Sequence, residues 1–362
     1  MKKEFNNKVM IAMSGGVDSS VAAVLIVDEG YEVAGATLKL FDNEDIGLEK
    51  TRTCCSIDDV EDAKSVAFKL GFHHYTFNFK AEFIDKVVKK FGDVYKEGKT
   101  PNPCIDCNRF IKFDKMIERA VTLGYDRIAT GHYAQVEYDE KKDRYLLKKS
   151  SDPQKDQTYV LYSLTQDQLS RTMFPMEGIT KEEARRIAEE RDLIVARKPD
   201  SQDICFVTDG DYERFLREEL GIITKPGNFI DTKGNVLGKH EGYTHYTIGQ
   251  RKGLKIALGK PAYVVDINPA TNEVVLGDNE DLFSKEMIVS DLNMIYMEKL
   301  EEPMEVEIKT RYSQKATKGK ITPMENGKIH AQFYEPIRAV TPGQAAVFYA
   351  GDYVVGGGTI ED

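Results

Sequence analysis

The sequence predicts an α/β protein: a parallel sheet with helices on both faces, then a mixed α+β middle domain and a C-terminal β-barrel. Three observations carry this reading. Over the first third, short apolar runs alternate with stretches whose apolar side chains recur at helical spacing, the alternation of a parallel sheet. A Ser-Gly-Gly turn joins the first apolar run to the first helix. From Pro226 onward, Gly, Pro and Asn punctuate alternating apolar segments at short spacing, the texture of hairpins and small barrels.

The elements follow in order. Val9 to Met13 forms the first strand, and Val17, Val21, Val24 and Leu25 mark the first helix. Tyr31 to Leu40 is a second strand, followed by a polar loop from Phe41 to Ser56. Asp58 to Leu70 is a helix ended by Gly71, His74 to Phe79 a strand, and Phe83 to Tyr95 a helix. Lys112 to Leu123 is a helix stopped by Gly124, and Tyr125 to His132 a strand. Ala134 to Tyr138 and Arg144 to Leu147 form a hairpin around a charged turn, and Gln157 to Leu164 is expected to be helical. Thr180-Lys181-Glu182-Glu183 is a capping box opening a helix to about Arg191, and Asp211 to Leu220 is a short helix. Tyr263 to Ile267 and Glu273 to Leu276 make another hairpin, and Met304 to Ile360 holds the strands of the barrel. Breaks near 165 and 280 divide the chain into 1–165, with a return segment near 197–207, then 166–280 and 281–362.

At 362 residues the chain has room for two or three cores. With 41% apolar and 30% charged residues and no apolar run of membrane-spanning length, it reads as soluble. The glycine turn follows so soon after Met1 that a cleaved leader would remove it, so a cytoplasmic location is expected. Five cysteines, an odd set, argue against a disulfide framework and for catalysis or metal binding. A net charge of −10 excludes indiscriminate nucleic-acid binding but not a local basic face.

Ser14-Gly15-Gly16-Val17-Asp18-Ser19 is built for an anion. The first turn of a helix has backbone N–H groups without internal partners and the positive end of the dipole. Gly15 and Gly16 let the backbone approach phosphate, Ser14, Ser19 and Ser20 add hydroxyls, and Asp18 suits a Mg²⁺. The stretch lacks both the Gly-Lys-Ser/Thr ending of a Walker loop and the Gly-x-Gly-x-x-Gly of a dinucleotide site. It resembles the pyrophosphate loop of N-type ATP pyrophosphatases, which split ATP between its α and β phosphates. Ligands of such sheets lie beyond the strands' carboxyl ends, where Met13, Leu38 and Gly131 fall.

Thr100-Pro101-Asn102-Pro103-Cys104-Ile105-Asp106-Cys107 places two cysteines at the mouth of a helix, where the dipole and Arg109 or Lys112 favour thiolates. Taken alone, Cys-x-x-Cys suits a redox pair, half a zinc site or half an iron–sulfur site. No set of four zinc ligands is evident, and no metal ligands are assigned. Cys205, by itself, has the residue type and setting of a small buried hydrophobe. Lys309, Arg311, Lys315, Lys318 and Lys320 make a basic run without an acid, and Arg109, Lys112, Lys115 and Arg119 a second.

Together, Ala12 to Ser19, Thr100 to Asn108, Ile111-Lys112-Phe113, Ala129 to Tyr133, Lys155-Asp156-Gln157, Asp203 to Phe206, Thr247 to Gly253, Arg311-Tyr312 and Pro342 to Gln344 resemble the tRNA-specific 2-thiouridylase family. The resemblance runs from residue 8 almost to the C-terminus. It implies an ATP-dependent transferase that replaces the C2 oxygen of the wobble uridine, in the anticodon loop of tRNA, with sulfur. It implies that Ala12, Met13, Ser14, Gly15, Gly16, Val17, Asp18, Ser19, Leu38 and Gly131 hold ATP, with Mg²⁺. Cys205 would carry a persulfide supplied by a cysteine desulfurase or sulfur carrier, and Cys107 would resolve it as a disulfide. Asn102, Pro103 and Cys104 would contact the base, and His132, Lys155, Asp156, Gln157, Arg311, Tyr312 and Gln344 the tRNA. Many members carry an aspartate, credited with acid–base work, where this chain has Cys104; Asp106 is a candidate substitute. Cys104, Cys107 and Cys205 also supply three thiols, the number needed for a [4Fe–4S] cluster with one open iron. A pyrophosphate loop is equally at home in an amide-forming synthetase, and the cysteines in a non-catalytic, redox-sensing tRNA-binding protein.

Overall fold

The structure, a computed structural model, describes residues 2–41, 57–199, 204–207 and 209–361. The expected polar loop beyond Phe41, with Cys54 and Cys55, and Asp200 to Asp203 lie outside them.

Strands β1 (Lys8–Ala12), β2 (Glu32–Lys39) and β3 (His73–Asn78) alternate with helices α1 (Val17–Asp28) and α2 (Ile57–Leu70). Then come β4 (Arg127–Thr130), the hairpin β5 (Gln135–Asp139) and β6 (Arg144–Lys148), and the two-residue β7 (Thr172–Met173). The first sheet runs β3-β2-β1-β4-β7, every pair parallel. Its centre explains the unbroken apolar run. Val9 and Ile11 join the core shared with α1, while Met10 joins a second core on the other face. A strand buried on both faces has no polar side to show.

Two further helices cover residues 80–96 and 103–122, each with a π-helical stretch inside it, Ile84–Val88 and Asn108–Lys115. Both start earlier than their apolar periodicity predicts. Pro103 opens the second at its first position, where a missing N–H costs nothing. The expected capping box at Thr180 is present and opens the helix Lys181–Glu190, which packs on α1.

The expected helix over Gln157 to Leu164 does not form; only Thr158–Val160 make a 3-10 turn. The carbonyls that would continue a helix are used elsewhere. Asn108 Nδ2 donates to the Val160 carbonyl at 2.9 Å, and Asn293 Nδ2 to those of Tyr162 at 2.6 Å and Leu164 at 2.9 Å. Satisfied by side chains, this backbone has no need of helical bonds.

The middle sheet, β8 (Gly227–Asp231), β9 (Val236–His240), β10 (Tyr263–Asn268) and β11 (Glu273–Gly277), runs β10-β11-β8-β9 around Phe229, Val264 and Val274. The expected β10–β11 hairpin is present. The last six strands are β12 (Phe283–Met294), β13 (Met304–Lys309), β14 (Thr317–Pro323), β15 (Ile329–Arg338), β16 (Ala345–Ala350) and β17 (Tyr353–Ile360). They run β12-β15-β14-β13-β16-β17, and β12 pairing with β17 closes the barrel. The β5–β6 hairpin joins this barrel's sheet, meeting β17 at Lys148 and Tyr353. A chain segment from the first half is thus built onto the last domain.

Candidate active site

The Ser14 to Ser19 loop lies at the carboxyl end of β1, as the turn chemistry requires. Gly15 has φ +70, and a Cβ there would lie 2.3 Å from the Asp59 carbonyl oxygen. A Cβ on Gly131 would lie 2.6 Å from the Ser19 nitrogen, so the end of β4 approaches the first turn of α1 because it lacks a side chain. Inside the loop, Ser19 Oγ accepts from the Ser14 N–H at 3.2 Å and lies 3.3 Å from Ser14 Oγ. Leu38, near the end of β2, is buried in the core beneath this edge.

The loop's charges are paired by residues from outside the glycine motif. Asp18 accepts from Tyr133 Oη at 2.7 Å and from Lys181 Nζ at 2.7 and 2.8 Å. Lys198 Nζ donates to the Gly15 carbonyl at 2.9 Å, to Asp62 at 2.7 Å and to Asp59. Burial works against the Lys198 ammonium, but the hydrogen bonds to Asp59 and Asp62 outweigh it and hold its pKa above the ordinary value. Thr37 Oγ1 donates to the Met13 carbonyl at 2.8 Å and lies 2.9 Å from His74 Nε2. Burial, with the nearby Lys64 and His73, lowers the His74 pKa to about 4. Nothing in local sequence marks Lys181, Lys198 or His74. Tyr133 alone had a signal, directly after Gly131-His132.

His132 lies beyond β4, its ring 5.6 Å from that of Phe113 and its Nδ1 2.9 Å from Thr130 Oγ1. Burial, with Lys112 nearby, brings its pKa down to about 3, so the ring is neutral. Gln157 accepts from the Tyr133 N–H at 2.9 Å and returns a backbone bond to the Tyr133 carbonyl at 3.0 Å, fixing the His132 segment from outside. Asp156 turns back on Thr158 Oγ1 at 2.8 Å, and Lys155 ends a turn begun at Asp152.

The cysteine helix brings Cys104 to the surface and buries Cys107. Cys205 is half-buried and packs against the apolar cluster that contains Cys107 and also Met10, Ala36 and Leu38 of the sheet. Phe206 anchors its segment, with ring centroids 5.3 Å from Phe91 and 5.2 Å from Phe215. None of these three cysteines is in a disulfide. Among the described residues, no group of three or more His, Cys, Asp or Glu is placed to hold a metal ion. Asp106 is buried and bound by Lys90 Nζ at 2.7 Å; burial raises its pKa despite Lys90 and Arg109. Arg109, expected on a basic face, is paired with Asp291 of β12 at 2.7 Å.

The barrel closes over this helix's entrance. Gln344 Nε2 donates to the carbonyls of Thr100 and Pro101, both at 3.0 Å, and the Thr100 N–H donates to the Pro342 carbonyl at 2.9 Å. Asn102 and Pro103 follow directly. Arg311 turns inward, donating to the Ile248 and Ala339 carbonyls and to Thr341 Oγ1 at 2.6 Å. Tyr312 stays 45% exposed beside Tyr159, with Lys309 Nζ 5.4 Å from its ring centre. Burial, Asp156 and Cys104 raise its pKa, which puts the phenol in electrostatic reach of Cys104. An exposed aromatic ring with a cation over its face suits stacking against another planar group.

Known proteins resemble this chain along nearly its whole length. Three family models match in turn: the tRNA methyl transferase HUP domain over 7–209, the tRNA methyl transferase PRC-barrel domain over 213–278 and the aminomethyltransferase beta-barrel domain over 284–360. The tRNA-specific 2-thiouridylase MnmA of Acetivibrio thermocellus is 55% identical, covering 98% of this chain and 99% of that one. The proteins of the same name from Clostridioides difficile and Caldicellulosiruptor saccharolyticus are each 53% identical over 98% of both chains. With identity of this level over nearly the whole of both chains, the chain belongs to the tRNA-specific 2-thiouridylase family.

Proposed function

We propose that this chain is an ATP-dependent tRNA uridine 2-sulfurtransferase that makes 2-thiouridine at the wobble position. The observation that carries it is the placement of Cys107 and Cys205 on one apolar cluster with the sheet whose edge bears the anion loop. The family-model descriptions speak of methyl transfer and the curated relatives of thiolation. Thiols beside a nucleotide loop fit the second.

The glycine cradle at Gly15 and Gly131 fits a nucleotide's phosphates, with Ala12 to Ser19, Leu38 and Gly131 holding ATP and Asp18 its Mg²⁺. ATP supplies the leaving group: transfer of AMP to the C2 oxygen, with loss of pyrophosphate, turns a poor leaving group into a phosphate ester. The terminal sulfur of a Cys205 persulfide then attacks C2 and AMP departs. Cys107 thiolate attacks the Cys205 sulfur, the C2–sulfur bond stays, and the S–S bond breaks to leave 2-thiouridine and a Cys107–Cys205 disulfide. An external dithiol restores the thiols. His132, held neutral, adds no positive charge beside the base. The exposed Cys104, with Asn102 and Tyr312, faces the incoming base; Pro103, expected to touch it, is buried and opens the helix, and Gln344 and Gln157 act by fixing the loops that present the site. Three consecutive family-model matches support a division into nucleotide domain, central domain and tRNA-gripping barrel. The same reading places the enzyme in the cytoplasm, served by a persulfide-bearing donor protein; among the described residues no helix is long and apolar enough to cross a membrane.

The test is anaerobic thiolation of unmodified tRNA with ATP, Mg²⁺ and a persulfide source, read by nucleoside mass spectrometry and iron content. Wild type, Cys205→Ser, Cys107→Ser and Cys104→Ser are compared. Product from iron-free wild type that disappears in Cys205→Ser establishes the persulfide route. Product only with iron bound, lost in all three variants, replaces it with a cluster route. Absence of both 2-thiouridine and AMP rejects the thiolase reading.

A further inference from the structure

We propose that Lys181 and Lys198 are the residues that hold the pyrophosphate portion of the nucleotide, exchanging their carboxylate partners for it on binding. The inference rests on the nucleotide reading of the loop and assigns two cations that it lacked. The loop's own donors are neutral: backbone N–H groups and the hydroxyls of Ser14 and Ser19. A triphosphate carries several negative charges, and the immediate surroundings add Asp18, Asp59 and Asp62. Lys181 and Lys198 are bonded to these carboxylates, and the three acids border the place where the anion would sit. Such a site repels the anion its backbone attracts unless its cations turn towards it.

Both lysines are placed to do so. Lys181 opens the helix Lys181–Glu190 and reaches Asp18 in the first turn of α1. Lys198 comes from the other side and touches the loop's backbone at the Gly15 carbonyl, 2.9 Å away. The side chains are 14% and 26% exposed, shielded enough for their charge to count and open enough to swing. A lysine is a point charge on a flexible stem with three donors, able to change partners without moving its backbone. Asp18 would hold a Mg²⁺ that accompanies the nucleotide, and the Lys181 ammonium would then turn to the phosphates. Asp59 and Asp62 keep Lys198 at the loop until the phosphates replace them. The two lysines come from the 180–198 stretch, well beyond the glycine motif, which is why the phosphate-loop pattern does not contain them.

A purely structural role predicts something different, namely that the ion pairs only hold the helix Lys181–Glu190 and α2 against the loop. The deciding measurement is isothermal titration of the full chain with inorganic pyrophosphate and, separately, AMP, each with Mg²⁺. Wild type, Lys181→Met, Lys198→Met and Lys198→Arg are compared after thermal melting confirms folding. The expected result is a loss of pyrophosphate affinity of about tenfold or more in each Met variant, with AMP affinity within about twofold. Lys198→Arg should keep most of the pyrophosphate binding. Unchanged pyrophosphate affinity in the Met variants, or a parallel loss of AMP and pyrophosphate, overturns the proposal. If Lys198→Met does not fold, Lys181→Met and Lys198→Arg decide it. Wild type binding neither ligand rejects the nucleotide reading itself, a separate failure.

Discussion

Single residues at the loop act through contact distances and charge. Gly131 has an ordinary backbone conformation, so a side chain there is excluded by crowding alone: its Cβ would meet the Ser19 nitrogen at 2.6 Å. Gly131→Ala should therefore push the first turn of α1 away and weaken binding of a non-hydrolysable ATP analogue about tenfold or more, measured by titration calorimetry. Two half-buried histidines give a pH signature. His74 and His132 have pKa values lowered to about 4 and about 3, whereas in the unfolded chain each titrates near 6.5. Below pH 6.5 the unfolded state binds more protons than the folded one, so stability falls as pH drops from 6.5 towards 3. Urea unfolding between about pH 7 and 4.5 should show this decline, and His132→Asn should make it shallower. An identical slope in that variant would remove the assignment.

At the level of elements, the cysteine helix over 103–122 is positioned by polar contacts. Asp106 is buried in the same first turns as Cys104, and Lys90 from the neighbouring helix is its ion-pair partner at 2.7 Å. Burial raises the Asp106 pKa, so the charged form is the one the fold disfavours. Without Lys90 that penalty grows as pH rises through the carboxylate's titration. Lys90→Met should cost about 1 kcal/mol near neutral pH and less in acid, since Lys90 is itself partly exposed. Adding Asp106→Asn should restore most of the loss by denaturant melt. At the other end, Gln344 holds the Thr100–Pro101 carbonyls. Gln344→Ala should loosen the loop before Cys104, seen as several-fold faster alkylation of that thiol with little change in melting temperature.

Across the whole molecule, an acidic protein must present RNA with a local basic surface. Lys315 and Lys318 are exposed, whereas Arg311 is turned into the barrel base and Arg109 is tied to Asp291. The basic runs are therefore smaller as surfaces than as sequences. Replacing Lys315 and Lys318 by Gln should reduce the slope of log binding constant against log salt by about one per residue. Filter binding of tRNA at graded salt measures it. An unchanged slope would place the phosphate contacts elsewhere.

The sequence by itself determined the local elements. Alternating apolar runs fixed the parallel sheet, Ser14 to Ser19 the glycine turn into α1, Thr180 to Glu183 the helix cap, and the apolar spacing from Lys112 the later part of the cysteine helix. These are short-range facts, written in periodicity and turn chemistry. Tertiary structure decided what lies far apart in the chain. It withheld a helix from Gln157 to Leu164, because Asn108 and Asn293 claim its carbonyls. It built the β5–β6 hairpin onto the barrel, and it brought Lys181 and Lys198 to a loop that lies 163 and 183 residues earlier at the atoms they touch. A hydrogen bond or ion pair between distant segments leaves no trace in either segment's own pattern, since each residue obeys its local rules and finds its partner only when the chain closes.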